Sequence, residues 1–223
     1  MASANRVSET VPAKKRSFFN RTFYPAIKRV FDIVVSIIAV ILLSPLLIAV
    51  SVIIKAQDGG EVIHKRWCVG KKRRYPMYKF RSMVPDANNY EKYFTKEQYE
   101  AYKKEIKLEN DPRITKIGRF IRKTSIDELP QLFNVIKGEM SLVGPRPVVD
   151  SEVIYYGDDL ERLLSAKPGL TGNWQVNGRS DCTYESGKRQ ILELYYVENR
   201  SIPLDIKILF KTVGAVLREE GAR

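Results

Sequence analysis

From Ile33 to Ile54 the chain carries 22 residues without a charge, interrupted only by Ser36, Ser44, Pro45 and Ser51. As a straight helix this block is about 33 Å long, enough to cross the hydrocarbon of a bilayer. Residues 1–20 are polar and basic without periodicity and are predicted to form a mobile tail. Beyond the apolar block the pattern shortens. Val62–Arg66 and Tyr75–Met83 predict strands around the basic turn Gly70–Arg74. Asp86–Leu108 is tyrosine-rich and charged at helical period, and predicts one or two exposed helices. Thr115–Lys123 and Leu129–Ile136 predict short helices, the second stopped by Gly138. Ser151–Ala166, Tyr184–Asn199 and Pro203–Arg218 predict three more. The last carries Lys207, Lys211 and Arg218 among many apolar residues, which fits an interfacial amphipathic helix or a core helix equally. The fold class is an irregular α/β arrangement, mostly helical with a few short strands.

Charge narrows the partners. A formal charge of +12 and a pI near 9.6 call for an anionic partner: nucleic acid, an acidic membrane face or a phosphorylated substrate. The basic residues form no stripe with interleaved aromatics along one helix, so no nucleic-acid partner is expected. Both flanks of the apolar block are basic, Lys28 and Arg29 before it and Lys55, Lys65 and Arg66 after it. Keeping both flanks on one side is electrostatically cheaper than crossing. Pro45 removes a helical hydrogen bond, and Ser44 can satisfy the carbonyl it frees. The residues leave two forms open, a kinked spanning helix and a re-entrant one broken at Ser44 and Pro45. Cys68 and Cys182 have no metal-site spacing, and the single histidine, His64, rules out an HExxH zinc site. Gly70-Lys71-Lys72 lacks the rest of a P-loop, and no GxGxxG occurs.

Chemistry concentrates in RKTSIDELPQLFNVIKG, Arg122 to Gly138, where Asp127 and Glu128 are adjacent acids before a helix. Ser125-x-x-Glu128 matches a capping box, which would make these acids structural. Pro130 opposes a helix starting at Ile126. A start nearer Leu129 leaves both carboxylates on the preceding turn, where an aspartate can act as nucleophile and its neighbour can hold Mg²⁺. Arg146, between Pro145 and Pro147, is presented from a stiff extended loop and suits bidentate phosphate binding. Lys79 and Arg81 in YKFRSM, and Arg113, Arg119 and Arg122 in DPRITKIGRFIRK, stand singly among apolar residues.

The motifs KFRSM, DPRITKIGRFIR, TSIDELPQLFNVIKGEMSLVGPRP and KPGLTGNWQVNGRSD, in this order, closely resemble those of the monotopic phosphoglycosyl transferases. These are bacterial polyprenyl-phosphate sugar-1-phosphate transferases, and the likeness is to their short, catalytic-core form. It implies an acidic dyad at Asp127 and Glu128. Asp127 would attack the β-phosphate of a UDP-sugar, releasing UMP, and polyprenyl phosphate would take the phosphosugar from the covalent intermediate. Glu128, with Asp127, would hold Mg²⁺; Arg146 and Arg122 would contact substrate phosphates, with Lys79, Arg81 and Arg113 as further candidates. The likeness implies a re-entrant membrane helix over residues 21–58, broken at Ser44 and Pro45, and a cytoplasmic catalytic domain over 59–223. It places the protein on the cytoplasmic face of the bacterial inner membrane, in one leaflet with anionic headgroups, and leaves a homodimer open. The motif wording is nearest the hexose-using branch, galactose or glucose. Two rivals remain: a membrane-bound transferase moving the sugar alone, and a basic membrane-tethered binding module.

Overall fold

The apolar block folds into one helix, α1 (Tyr24–Asp58), with Pro25 in its first turn and Gly59 closing it in the left-handed conformation at φ 70°. This and all that follows comes from a computed structural model, which describes residues 11, 22–105, 108, 110–178, 184 and 186–217. The expected basic tail, apart from Val11, lies outside the described residues, as does Cys182. Pro45 sits inside α1 rather than at its end. A proline there leaves the carbonyl of Ile41 without its usual N–H, and the Ser44 hydroxyl donates to that oxygen at 2.7 Å. The serine thus satisfies the carbonyl freed at the position expected as the break, and helical structure continues on both sides of Pro45.

α1 is long and apolar enough to cross a membrane, and little of its apolar surface is covered by protein. Leu42 is 72% exposed, with Val30, Ile41, Ile48 and Val52 almost as open. One stripe is different. Asp32, Ser36, Leu47, Val50 and Ile54, spaced by three or four residues or by sums of such steps, are buried against the rest of the protein.

The chain then forms an antiparallel hairpin, β1 (Ile63–Cys68) with β2 (Tyr75–Phe80), as the pattern predicts. Two short helices, α2 (Tyr90–Tyr93) and α3 (Lys96–Glu105), follow it, and then α4 (Lys116–Lys123), capped by the Thr115 hydroxyl. α5 (Gln131–Lys137) ends at Gly138, as expected. β3 (Ser141–Val143) pairs in parallel with β4 (Gly169–Thr171), a pairing that three-residue strands do not announce. The helix expected over Ser151–Ala166 is instead two 3-10 segments, Asp150–Tyr155 and Gly157–Asp159, followed by α6 (Leu160–Leu164). Gly157, at φ 48°, turns the chain between them. α7 (Asn173–Asn177), α8 (Lys188–Asn199) and α9 (Ile202–Leu217) complete the order. On α9, Ile208 is buried while Phe210 is 75% exposed, so the helix is two-sided.

One core cluster joins the hairpin, α5, β3, α8 and α9 through residues such as Met77, Val135, Val143, Tyr196 and Ile208. A second lies under the C-terminal half of α1, where Leu47, Val50 and Ile54 meet Phe80 and Ile121. Close backbone approach sets two joints. A Cβ on Gly169 would lie 2.1 Å from the Gly144 nitrogen, and one on Gly118 would lie 1.9 Å from the Ser82 carbonyl oxygen.

Polar pins fix both ends of α1 to this body. At the N-terminal end Lys28 bonds Asp205 at 3.0 Å, and Arg29 donates to the carbonyls of Val135 and Ile136 at the end of α5. Asp32 accepts from the Ser141 hydroxyl at 2.7 Å and from the Leu142 N–H at 3.2 Å. At the other end Asp58 pairs with Arg81. Asp32→Ala would leave the buried Leu142 N–H unmet and leave the Ser141 hydroxyl only its second acceptor, the Val143 carbonyl, a loss of about 1–3 kcal/mol. Thermal unfolding in detergent should drop by roughly 5–10 °C, and an unchanged melting temperature would show that this pin holds nothing.

Candidate active site

Between α4 and α5 the chain turns sharply. Ser125 adopts φ 57°, the one positive φ outside glycine among the described residues, and its side chain makes no capping bond. A 3-10 turn, Ile126–Glu128, follows, and Pro130 is the residue that precedes α5. Of the two forms open from the residues, the capping box is absent and the late helix start is present. Asp127 and Glu128 therefore stand on a strained turn, a placement typical of functional loops.

Lys79 reaches the pair from β2. Its ammonium bonds the Glu128 carboxylate at 2.6 Å and lies 3.9 Å from Asp127. Arg122, in the last turn of α4, donates from Nε to the Ser82 hydroxyl at 2.8 Å, and its charge is felt by Asp127. Asp127 is 8% exposed. Burial pushes its carboxyl up to about 6, against the downward pull of Lys79 and Arg122 and with the upward push of Glu128. Near neutral pH it is ionised and poorly hydrated, the state of a carboxylate nucleophile. Burial lowers the pKa of Arg122 as well.

The other sequence candidates divide. Arg146 leaves β3 between two prolines; its N–H donates to Glu193 Oε2 at 2.9 Å, and its guanidinium lies 5.5 Å from the Trp174 ring. Burial pushes the Cys68 thiol up to about 11 against the pull of Arg66, Arg146 and Lys79. The Lys79 and Arg146 sides thus both lie within electrostatic reach of the end of β1. Arg81 and Arg113 are committed elsewhere. Arg81 holds Asp58 and the Glu61 carbonyl. Arg113 forms a two-pronged pair with Asp111 at 2.6 and 2.9 Å, with its third nitrogen on the Ala87 carbonyl. Both act as clamps on loops rather than as open donors. Trp174 is buried, with the guanidinium groups of Arg146 and Arg189 close to its ring. Two residues the sequence reading did not single out, Arg189 and Glu193 of α8, join Arg146 and Trp174. Their signal was register: four apart, they share the stripe of Tyr196 and Val197 that faces the core.

A cation can be tested against the carboxylates. Among the described residues no group of three or more His, Cys, Asp or Glu side chains could hold a metal ion. Mg²⁺ needs fewer, since one or two carboxylates with substrate phosphate and water complete its shell. Adjacent Asp127 and Glu128 fit that pattern, with Lys79 already drawn to the same oxygens.

The raised Asp127 pKa has a sign that can be measured. Ionisation costs the fold stability as pH rises from about 4 to about 6. Above that window the cost is on the order of 3 kcal/mol at most, and below it the cost vanishes. In chelator, Asp127→Asn should melt higher than the parent at pH 8 and with it at pH 4. Equal melting at both values would show the carboxyl carries no burial penalty.

A model of the family described as bacterial sugar transferase matches residues 23–219. The undecaprenyl-phosphate galactose phosphotransferase of Salmonella typhimurium is 50% identical over 200 residues, covering 88% of this chain and 41% of that protein. The exopolysaccharide production protein ExoY of Sinorhizobium fredii is 41% identical over 199 residues and 87% of both chains. An Aeromonas hydrophila UDP-N-acetylgalactosamine-undecaprenyl-phosphate N-acetylgalactosaminephosphotransferase is 37% identical over 209 residues, 90% of this chain and 46% of its own. The chain thus spans less than half the length of two of these three relatives. With the family model running across the carboxylate turn, the Arg146 loop and all but the ends of the chain, the protein belongs to the bacterial sugar transferase family.

Proposed function

We propose that the protein transfers a sugar-1-phosphate from a UDP-sugar to polyprenyl phosphate and releases UMP, the first membrane step in assembling a surface glycan. The observation that carries this is Asp127: a buried carboxylate held near 6, on a strained turn, with Lys79 and Arg122 beside it. An Asp127 oxygen attacks the β-phosphorus of the donor. The new O–P bond forms as the bond to the α-phosphate oxygen breaks, and UMP leaves with that electron pair. An oxygen of polyprenyl phosphate then attacks the same phosphorus, forming a diphosphate and returning the carboxylate. Lys79, Arg122 and Arg146 offset the negative charge that would repel each attack. Mg²⁺, held by Glu128 and Asp127, would neutralise diphosphate charge when bound. A hexose donor, galactose before glucose, is supported by the galactose in the name of the Salmonella relative.

The membrane arrangement follows from α1. Its exposed apolar surface suits lipid, and its two ends are pinned to one folded body. One body cannot lie on both sides of a bilayer, so α1 enters and leaves the same leaflet. The basic flanks favour the cytoplasmic face. Labelling should find the N-terminus cytoplasmic. It should stay so in Pro45→Ala, because the pins at Asp32 and Asp58 remain; a translocated N-terminus in either protein would remove the one-leaflet arrangement.

Donor alone is the decisive experiment for the chemistry. The protein should release one equivalent of UMP from UDP-galactose and gain the mass of a phosphohexose on Asp127, and Asp127→Asn should do neither. Release of UDP instead would establish transfer of the sugar alone. Binding of anionic vesicles without any nucleotide release would leave only a tethered module.

A further inference from the structure

Arg189, in the first turn of α8, is 7% exposed. Its guanidinium carbon lies 4.3 Å from the centre of the Trp174 ring and 3.8 Å from that of Tyr184. Both Nε and one terminal nitrogen, Nη2, are buried with no hydrogen-bond acceptor among the described residues, and Nε of Arg146 is in the same condition. Arg146 also approaches the Trp174 ring, at 5.5 Å. One turn along α8, Glu193 is fully buried; one oxygen accepts from the Arg146 N–H, and the other is unbonded. Two guanidinium groups thus lie near one indole ring and hold three unmet donor nitrogens between them.

Arg113 shows what a caged arginine looks like when its work is structural. It too lies over aromatic rings, Tyr90, Phe94 and Tyr102, at 4.5 to 5.3 Å. Its Nε and both terminal nitrogens, however, each find an oxygen on Asp111 or Ala87. Arg189 has the cage without the acceptors. A buried charged donor left unmet is costly, and buried polar groups are nearly always paired. Glu193 is a counter-charge one turn along α8, but burial pushes its carboxyl up to about 7 in spite of Arg189, so it only partly neutralises the pair.

We propose that Arg189 and Arg146 form a binding pocket for a phosphoryl oxyanion, with Trp174 and Tyr184 fixing the plane of the Arg189 guanidinium. Three donor nitrogens, two of them the fork of Arg189, match a phosphoryl group better than a carboxylate, which offers two oxygens. Arg146 is half-buried, on the loop that leaves β3. The phosphate comes either from the nucleotide or from the lipid acceptor, and naming these two sources rests on the function proposed above. Arg189 is assigned a binding role; the bond-making stays at Asp127.

The test uses the full chain in detergent, with UMP and inorganic phosphate as probes and thermal stabilisation as readout. Arg189→Gln and Arg189→Lys should melt within a few degrees of the parent without ligand. Both should bind UMP or phosphate at least tenfold more weakly. In turnover, a double-displacement reaction keeps the two substrates' kcat/KM values independent. A tenfold fall for the UDP-sugar alone assigns the pocket to the nucleotide, and a fall for polyprenyl phosphate alone assigns it to the lipid. Should the glutamine variant fail to fold, the lysine variant decides, since it keeps the charge but loses Nε–H and the fork. Unchanged binding and unchanged kcat/KM in a folded variant overturn the pocket, and so does unfolding of both. The function above fails separately, by absence of UMP release from the parent protein, and weaker phosphate binding in the variants would still support the pocket.

Discussion

In the proposed chemistry Asp127 must be charged to react and poorly hydrated to react well, and these demands oppose each other. Burial alone would neutralise Asp127; full exposure would leave it an ordinary surface acid. The compromise is electrostatic. Lys79 from β2 and Arg122 from α4 hold the carboxyl near 6 instead of letting burial carry it higher. Each cation is placed by a separate element, so the hairpin, α4 and the turn between α4 and α5 must meet at one point. Gly118, which lets α4 press against Ser82, and the Arg122–Ser82 bond secure that meeting. The left-handed Ser125 is where the backbone absorbs the strain of doing so.

The apolar helix has a related problem at a larger scale. A segment that is apolar all round has no preferred orientation toward its own domain. Lys28, Asp32 and Asp58 supply one, because each is a polar group with a partner on the folded body. Asp32 is the most constrained, since it serves a backbone N–H and a hydroxyl at the start of β3. The strand that leads to Arg146 is therefore tied to the helix that meets the lipid. In the proposed setting this sets the depth of the loop relative to the headgroups, where a lipid phosphate lies.

The positive charge of the protein is divided by role rather than gathered in one patch. Arg29, Arg81 and Arg113 are clamps with their donors matched by carbonyls or carboxylates. Lys79 and Arg122 tune a carboxylate. Arg146 and Arg189 keep donors open beside an aromatic wall. Nothing about an arginine in isolation separates these roles; the count and kind of its acceptors does.

By itself the sequence determined the elements whose cause is local. The long apolar run, the strands around the basic turn, the helix after Asp111–Ile114 and the Gly138 stop act within a few residues, and all are present. So is the late start of α5, one of the two forms the residues left open, with Pro130 set against the earlier one. Asp127, Glu128, Lys79, Arg122 and Arg146 were legible as candidates for the same reason: their motifs are contiguous. The tertiary structure alone decided which cations face the carboxylates, since Lys79 and Arg81 differ by two residues along the chain yet serve different partners. It alone paired β3 with β4, set α1 as a helix pinned at both ends, and gathered Arg146, Trp174 and Arg189. Those outcomes depend on contacts between residues tens of positions apart, whose strength comes from burial. Burial is a property of the folded body and is written in no short stretch of the chain.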